Sequence, residues 1–125
     1  MRTYQLHLLL PRPCRLQVGR LGIFHLPAGF YMYTGSARRG LTARVSRHFS
    51  RAKTLRWHID YLLDGHARIV DVRYFAREEC ALNRATPGRV LIPRFGASDC
   101  RAGCGSHLKY LGIVETIGGL PATSE

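Results

Sequence analysis

Tyr4, Tyr33, Arg44, His48 and Glu79 are the side chains whose types suit one reaction, the hydrolysis of a phosphodiester. That reaction needs a positioned water, a base, and positive charge on phosphoryl oxygens as they become more negative. Arg44 can supply part of the charge with fixed geometry. A hard cation held by Glu79, Mg²⁺ or Mn²⁺, can supply the rest and stabilise the leaving oxygen, because carboxylate oxygen suits such an ion. A phenol can hold a water, but its ordinary pKa of about 10 makes it a weak base. His48, with an intrinsic value of about 6.5, is the better base on chemical grounds. The base stays open between Tyr4 and His48.

The chain around these residues is strongly basic. Nineteen Lys and Arg against eight Asp and Glu give a formal net charge of +11, and all but two of the nineteen are Arg. Guanidinium pairs bidentately with phosphate and tolerates partial burial, so the partner expected is a polyanion: nucleic acid, DNA ahead of RNA. Arg38, Arg39, Arg44, Arg47, Arg51 and Lys53 fall within sixteen residues, a density suited to a phosphate backbone. Contacts of that kind position a duplex without choosing a base. The plainer reading of any one of them is a solvated surface arginine.

Two further segments carry candidate chemistry. In Trp57-His58-Ile59-Asp60-Tyr61, Trp57 and Tyr61 are four apart and suit packing against a sheet, while Asp60 turns another way to orient His48 or His58 or to offer a metal oxygen. In the polar loop 93–107, Cys100, Cys104 and His107 stand four and three apart. With Cys80 or His58 they could surround Zn²⁺, although a CxxxC with one His is an incomplete ligand set. Asp99 and Ser106 could instead serve phosphate or active-site hydrogen bonding, and a buried reduced cysteine pair is the plain alternative.

The elements that must hold these groups follow from periodicity. Residues 4–10 place Tyr4, Leu6, Leu8 and Leu10 on one face, a period of two, so they predict a strand stopped by Pro11 and Pro13. Residues 14–26 predict a second strand interrupted at Gly19, and 30–34 an aromatic strand leading into Gly35, which could serve a turn at positive φ. Leu41, Val45 and Phe49 then recur every fourth residue, the buried stripe of a helix over about 41–52 with Ser36 a candidate for its N-cap. A short helix at 55–63, a strand at 67–75, a helix at 77–84, a strand at 90–92 and an edge strand at 108–114 complete the expectation. The fold class expected is α/β of the α+β kind, a small central mostly antiparallel sheet flanked by helices.

Tyr33-Thr34-Gly35-Ser36-Ala37, followed by Gly40-Leu41 and Arg44, resembles the second half of the GIY-YIG nuclease signature, and Arg2-Thr3-Tyr4 resembles its first half. With Arg47-His48, Trp57 to Tyr61, Glu79-Cys80 and Gly96 to Cys100, the chain is most similar to a compact prokaryotic subgroup of uncharacterised Uri-type endonucleases, over about residues 2–111. The resemblance implies that Tyr4 and Tyr33 are the two motif tyrosines, Gly35 the motif glycine and Arg44 the helix arginine. His48 falls where relatives carry tyrosine or histidine, and Glu79 matches the metal-binding glutamate, with Glu78 beside it on another side of the helix. Arg2 stands where the first tripeptide has glycine.

The expected function is therefore divalent-metal-dependent endonuclease cleavage of DNA, in repair or in defence. The alternatives are a nucleic-acid-binding module without turnover, acting as an accessory protein, and an interaction domain for an acidic partner. The chain of 125 residues has the size of one domain, 1–115, with a flexible C-terminal tail expected at 116–125. It offers no run of the roughly twenty apolar residues that span a bilayer. With no signal-peptide pattern at its start, the expected location is cytoplasmic, with reduced cysteines.

Overall fold

A computed structural model describes residues 2–50, 54–96 and 105–113, and the backbone of 116–117 and 120–121. Among these residues, eight strands and three helices follow in the order β1 (Thr3–Leu10), β2 (Cys14–Val18), β3 (Gly22–Leu26), β4 (Gly29–Ser36), α1 (Leu41–Phe49), α2 (His58–Leu63), β5 (Arg68–Phe75), α3 (Glu79–Ala85), β6 (Leu108–Gly112), β7 (Thr116–Ile117) and β8 (Leu120–Pro121). The main sheet has the order β5-β1-β4-β6, and every pairing in it is antiparallel. The fold is α+β, as the periodicities imply.

Alternation in β1 decides what lies on each face. Tyr4, Leu6, Leu8 and Leu10 stand opposite Gly35, Tyr33, Tyr31 and Gly29 of β4. All four are at most 1% exposed and form the core with Val45, Ile59 and Leu62 of the helices and with Ile92 and Phe95. Each fully buried leucine contributes roughly 1.5–3 kcal/mol. The opposite face carries Thr3, Gln5, Thr34, Ser36 and Lys109 beneath α3. There Gln5 Nε2 donates to Thr86 Oγ1 at 2.7 Å, and Lys109 Nζ donates at 2.9 Å to the carbonyls of Asn83 and Thr86 at the C-terminal end of α3. A cation on those carbonyls is where the helix dipole favours one.

Several boundaries differ from the expectation, each for a local reason. Residues 14–26 form a hairpin, β2 and β3, folded at Gly19 with φ +48, and it makes its own two-stranded sheet beside α2. Gly35 and Ser36 lie inside β4, because cross-strand pairing to Tyr4 and Thr3 carries the strand past the glycine. Ser36 does not cap α1. The N-cap is Gly40, at φ 61, with no side-chain cap, and the helix ends at Phe49 with Ser50 extended. The buried face of α1 runs through Val45 and His48, not Val45 and Phe49; Phe49 is 56% exposed.

The strand expected at 90–92 is absent. Arg89 makes a single bridge to Tyr110, after which Ile92 and Phe95 bury themselves in a turn that Arg94 closes at φ 65. In the C-terminal tail, β7 pairs with β8. No described helix is long and apolar enough to cross a membrane.

Candidate active site

Four elements converge where β1 begins and β4 ends. Tyr4 is the second residue of β1, and its hydroxyl reaches His48 Nε2 of α1 at 2.5 Å. Tyr33 stands beside them: its ring centroid is 6.4 Å from that of Tyr4 and 6.0 Å from that of His48. All three side chains are buried. Burial pushes the Tyr4 phenol well above its ordinary pKa; the charges of Tyr33, Glu79 and Asp60 add to the rise and Arg44 opposes it. Tyr33 is raised for the same leading reason, with Glu79 as the next contribution and Arg44 again opposing. At neutral pH both phenols are protonated.

Gly35 makes room for this cluster. A methyl on it would stand 2.6 Å from Cζ and Oη of Tyr4, and its φ is not positive, so the requirement is steric and not conformational. The freedom to turn belongs to Gly40 instead.

Ser36 joins the cation to the carboxylate. Its carbonyl accepts from Arg44 Nη1, and its hydroxyl donates to Glu79 Oε1 at 2.5 Å. His107 Nδ1 lies 2.8 Å from Glu79 Oε2. Burial alone would raise the Glu79 pKa. The hydrogen bonds from His107 and Ser36, with the charges of His107 and Arg44, hold it below the ordinary glutamate value. Glu79 is therefore ionised at neutral pH, and its side chain keeps 24% exposure. Glu78 serves a different purpose. It is the N-cap of α3, and its carboxylate accepts from the backbone N–H groups of Cys80 and Ala81.

Arg44 is held from behind. Its Cζ lies 4.3 Å from the centroid of Trp57, and Arg47 Cζ lies 4.1 Å from the same ring. Arg47 forks onto Asp60 at 2.8 and 2.9 Å and also donates to the Thr54 carbonyl. Asp60 is wholly buried and accepts further from the backbone N–H groups of Arg56 and Trp57. Burial would raise its pKa, but Arg47 and those two N–H groups hold it low. A bidentate pair of this kind fixes orientation as well as charge. Asp60 thus anchors Arg47, and through Trp57 both elements brace Arg44. His58, the other imidazole of that segment, accepts from the Gly96 N–H at 2.8 Å and packs at a tilt against Phe95, which fixes the 95–96 turn against Tyr33.

The five residues singled out for chemistry thus lie around one end of the sheet, Glu79 arriving from the α3 face and the others from the core face. Arg38 and Arg39 are exposed in the loop at the same end, and Arg2 and Arg77 join them there. Arg2 O accepts from Ala37 N at 3.0 Å, and Arg77 O from Thr3 Oγ1 at 2.6 Å. Arg2 and Arg77 are distant in sequence, and only strand pairing brings them to this rim. Arg51, Lys53, Asp99, Cys100 and Cys104 lie outside the described residues. Cys80 is buried in α3, and His107, a candidate zinc ligand, is committed to Glu79. No group of three His, Cys, Asp or Glu suited to a metal occurs among the described residues.

Sequence reading missed Ser36 and His107 as the partners of Glu79. The only available signal for Ser36 was its adjacency to Gly35. No curated protein and no solved structure matches the chain significantly. The family model described as Domain of unknown function DUF123 matches residues 3–120, a span that takes in every site residue from Tyr4 to His107, and the chain belongs to that family.

Proposed function

We propose that this protein is a divalent-metal-dependent endonuclease of the GIY-YIG type that hydrolyses phosphodiester bonds in DNA. The observation that carries the reading is the double role of Ser36, which ties the Arg44 cation and the Glu79 carboxylate beside the Tyr4–His48 pair.

Glu79 fits a metal of the expected kind. It is a partly exposed, ionised carboxylate with hard oxygen donors. Mg²⁺ keeps several waters and needs only one or two carboxylates plus substrate phosphate. When bound, such an ion would neutralise developing charge on the phosphoryl group. Ser36 and His107 orient the carboxylate that would hold it, the kind of outer contact on which metal affinity depends.

The remaining work falls to the protein's side chains. Arg44, braced by Trp57, offers fixed positive charge to a nonbridging phosphoryl oxygen. With His48 in the tautomer that leaves Nε2 bare, the Tyr4 hydroxyl donates its hydrogen bond there, which leaves a phenolic lone pair to accept a proton from an attacking water. As the water oxygen bonds to phosphorus, its proton passes to Tyr4 Oη while the Tyr4 proton passes to His48. The phosphorus–oxygen bond to the leaving strand breaks, and that oxygen takes a proton from solvent. The relay suits a phenol whose pKa burial has raised, because a free phenolate never forms. It also makes Tyr4 and His48 one unit, in place of two competing bases.

The rim arginines Arg2, Arg38, Arg39 and Arg77 support a polyanionic substrate laid across this end of the sheet. The test is cleavage of labelled DNA by the purified protein with Mg²⁺ or Mn²⁺. DNA binding without cleavage across substrates and metals would replace the enzyme with a binding module.

A further inference from the structure

His48 also borders a cleft of 580 Å³. The cleft runs between the end of α1 and the turn from α2 into β5, lined among others by His48, Phe49, Leu55, Asp64, His66 and Arg68. Its volume is that of a small-molecule site, and its lining mixes apolar and charged groups as such sites do. His48, whose Nε2 meets the Tyr4 hydroxyl, is also among the residues that line the cleft.

Phe49 is the feature that needs explaining. It closes the apolar stripe of α1 by spacing, yet it is 56% exposed and borders the cleft while His48 takes the buried position. An exposed aromatic wall beside an arginine and a histidine matches what an unpaired nucleotide needs. Its base can stack on the ring, and its phosphate can accept from the guanidinium and the imidazole. Asp64, also on the lining, can accept from a base's amino or imino hydrogens. A base-paired nucleotide cannot reach into a cleft, whereas an extruded or flap nucleotide can.

We infer that this cleft holds one unpaired nucleotide of the substrate strand, with its base on Phe49 and its phosphate on Arg68 and His66. The inference rests on the nuclease reading and narrows it, since the substrate becomes DNA with an extrahelical or single-stranded nucleotide.

Two labelled DNAs test it: a duplex carrying one unpaired 2-aminopurine, and the same sequence fully paired. Without added metal, the wild-type protein should bind the unpaired form about tenfold more tightly or better. The 2-aminopurine fluorescence should fall as the base stacks. Phe49→Ala, at an exposed position that does not threaten the fold, should abolish both the preference and the quenching while leaving affinity for the paired duplex unchanged. The pair Arg68→Ala and His66→Ala should weaken the unpaired complex selectively. Equal binding of both DNAs by wild type, or an unchanged preference in Phe49→Ala, overturns the cleft assignment and leaves the nuclease reading standing. Failure to bind either DNA overturns both.

Discussion

The ring of Tyr4 occupies the space above Gly35 that any side chain there would fill: a methyl group on Gly35 would stand 2.6 Å from the phenolic carbon and oxygen. The two residues are register partners across β1 and β4, so neither can shift alone. Gly35→Ala should displace the Tyr4 hydroxyl from His48. A misplacement on the ångström scale costs roughly 10²-fold in rate. A cleavage assay checks this alongside circular dichroism; a folded variant that cuts at the wild-type rate would reject the steric role.

Arg44→Ala and Tyr4→Phe should each lower the cleavage rate by about 10²-fold or more while leaving DNA affinity within a few-fold. His48→Ala should lose about as much as Tyr4→Phe, and the double variant little more than either alone, because the proposed relay makes the two one unit. Additive losses in that cycle would separate the two residues.

In the proposed function the rim supplies affinity and no chemistry. Replacing Arg38 and Arg39 with alanine should weaken binding to unrelated sequences alike and reduce the salt dependence by about one unit of slope per arginine. Arg47 is a poor choice for this experiment despite its place on the basic face of α1, because its guanidinium is bound to Asp60. An unchanged salt slope in the folded Arg38/Arg39 variant would move the DNA to another surface.

Asp60 makes stability depend on acid. Its pKa is held below the ordinary value in the folded protein, so between the two values the unfolded chain binds more protons and stability rises with pH. The contribution is complete above about pH 4 and is lost as pH falls through the folded value. Asp60→Asn should cost roughly 2–4 kcal/mol at neutral pH, since it breaks a buried pair and strands part of Arg47. It should also flatten the acid limb of the stability curve. Urea melts from pH 7 down to pH 3 check both; parallel curves for the two proteins would contradict the assignment.

What could be read from the chain follows from how local each signal is. Alternation in Tyr4 to Leu10 and the fourfold spacing of Leu41 and Val45 identify β1 and α1 because burial acts directly on those periods. The same rule misjudged the end of α1. Phe49 is the more apolar residue, but His48 finds a partner in the Tyr4 hydroxyl 44 residues away in sequence, and a buried polar group with a partner costs little. Glu79 and Glu78 could not be told apart from spacing, because one meets Ser36 and His107 only through tertiary packing while the other caps its own helix. Arg47 was legible as a residue of a basic helix face, but its bond to Asp60 joins α1 to the start of α2, a pairing that no periodicity encodes.

The measurement that bears most directly on the central claim compares wild type and Glu79→Gln on labelled DNA with Mg²⁺, with Mn²⁺ and with chelator. The substitution keeps the side chain's size and its place between Ser36 and His107 but removes the charge. The account predicts metal-dependent strand cleavage by wild type, none with chelator, and a loss of about 10²-fold or more in Glu79→Gln with DNA affinity retained. Cleavage by Glu79→Gln at the wild-type rate would contradict it, as would wild-type protein that binds these DNAs and never cuts them.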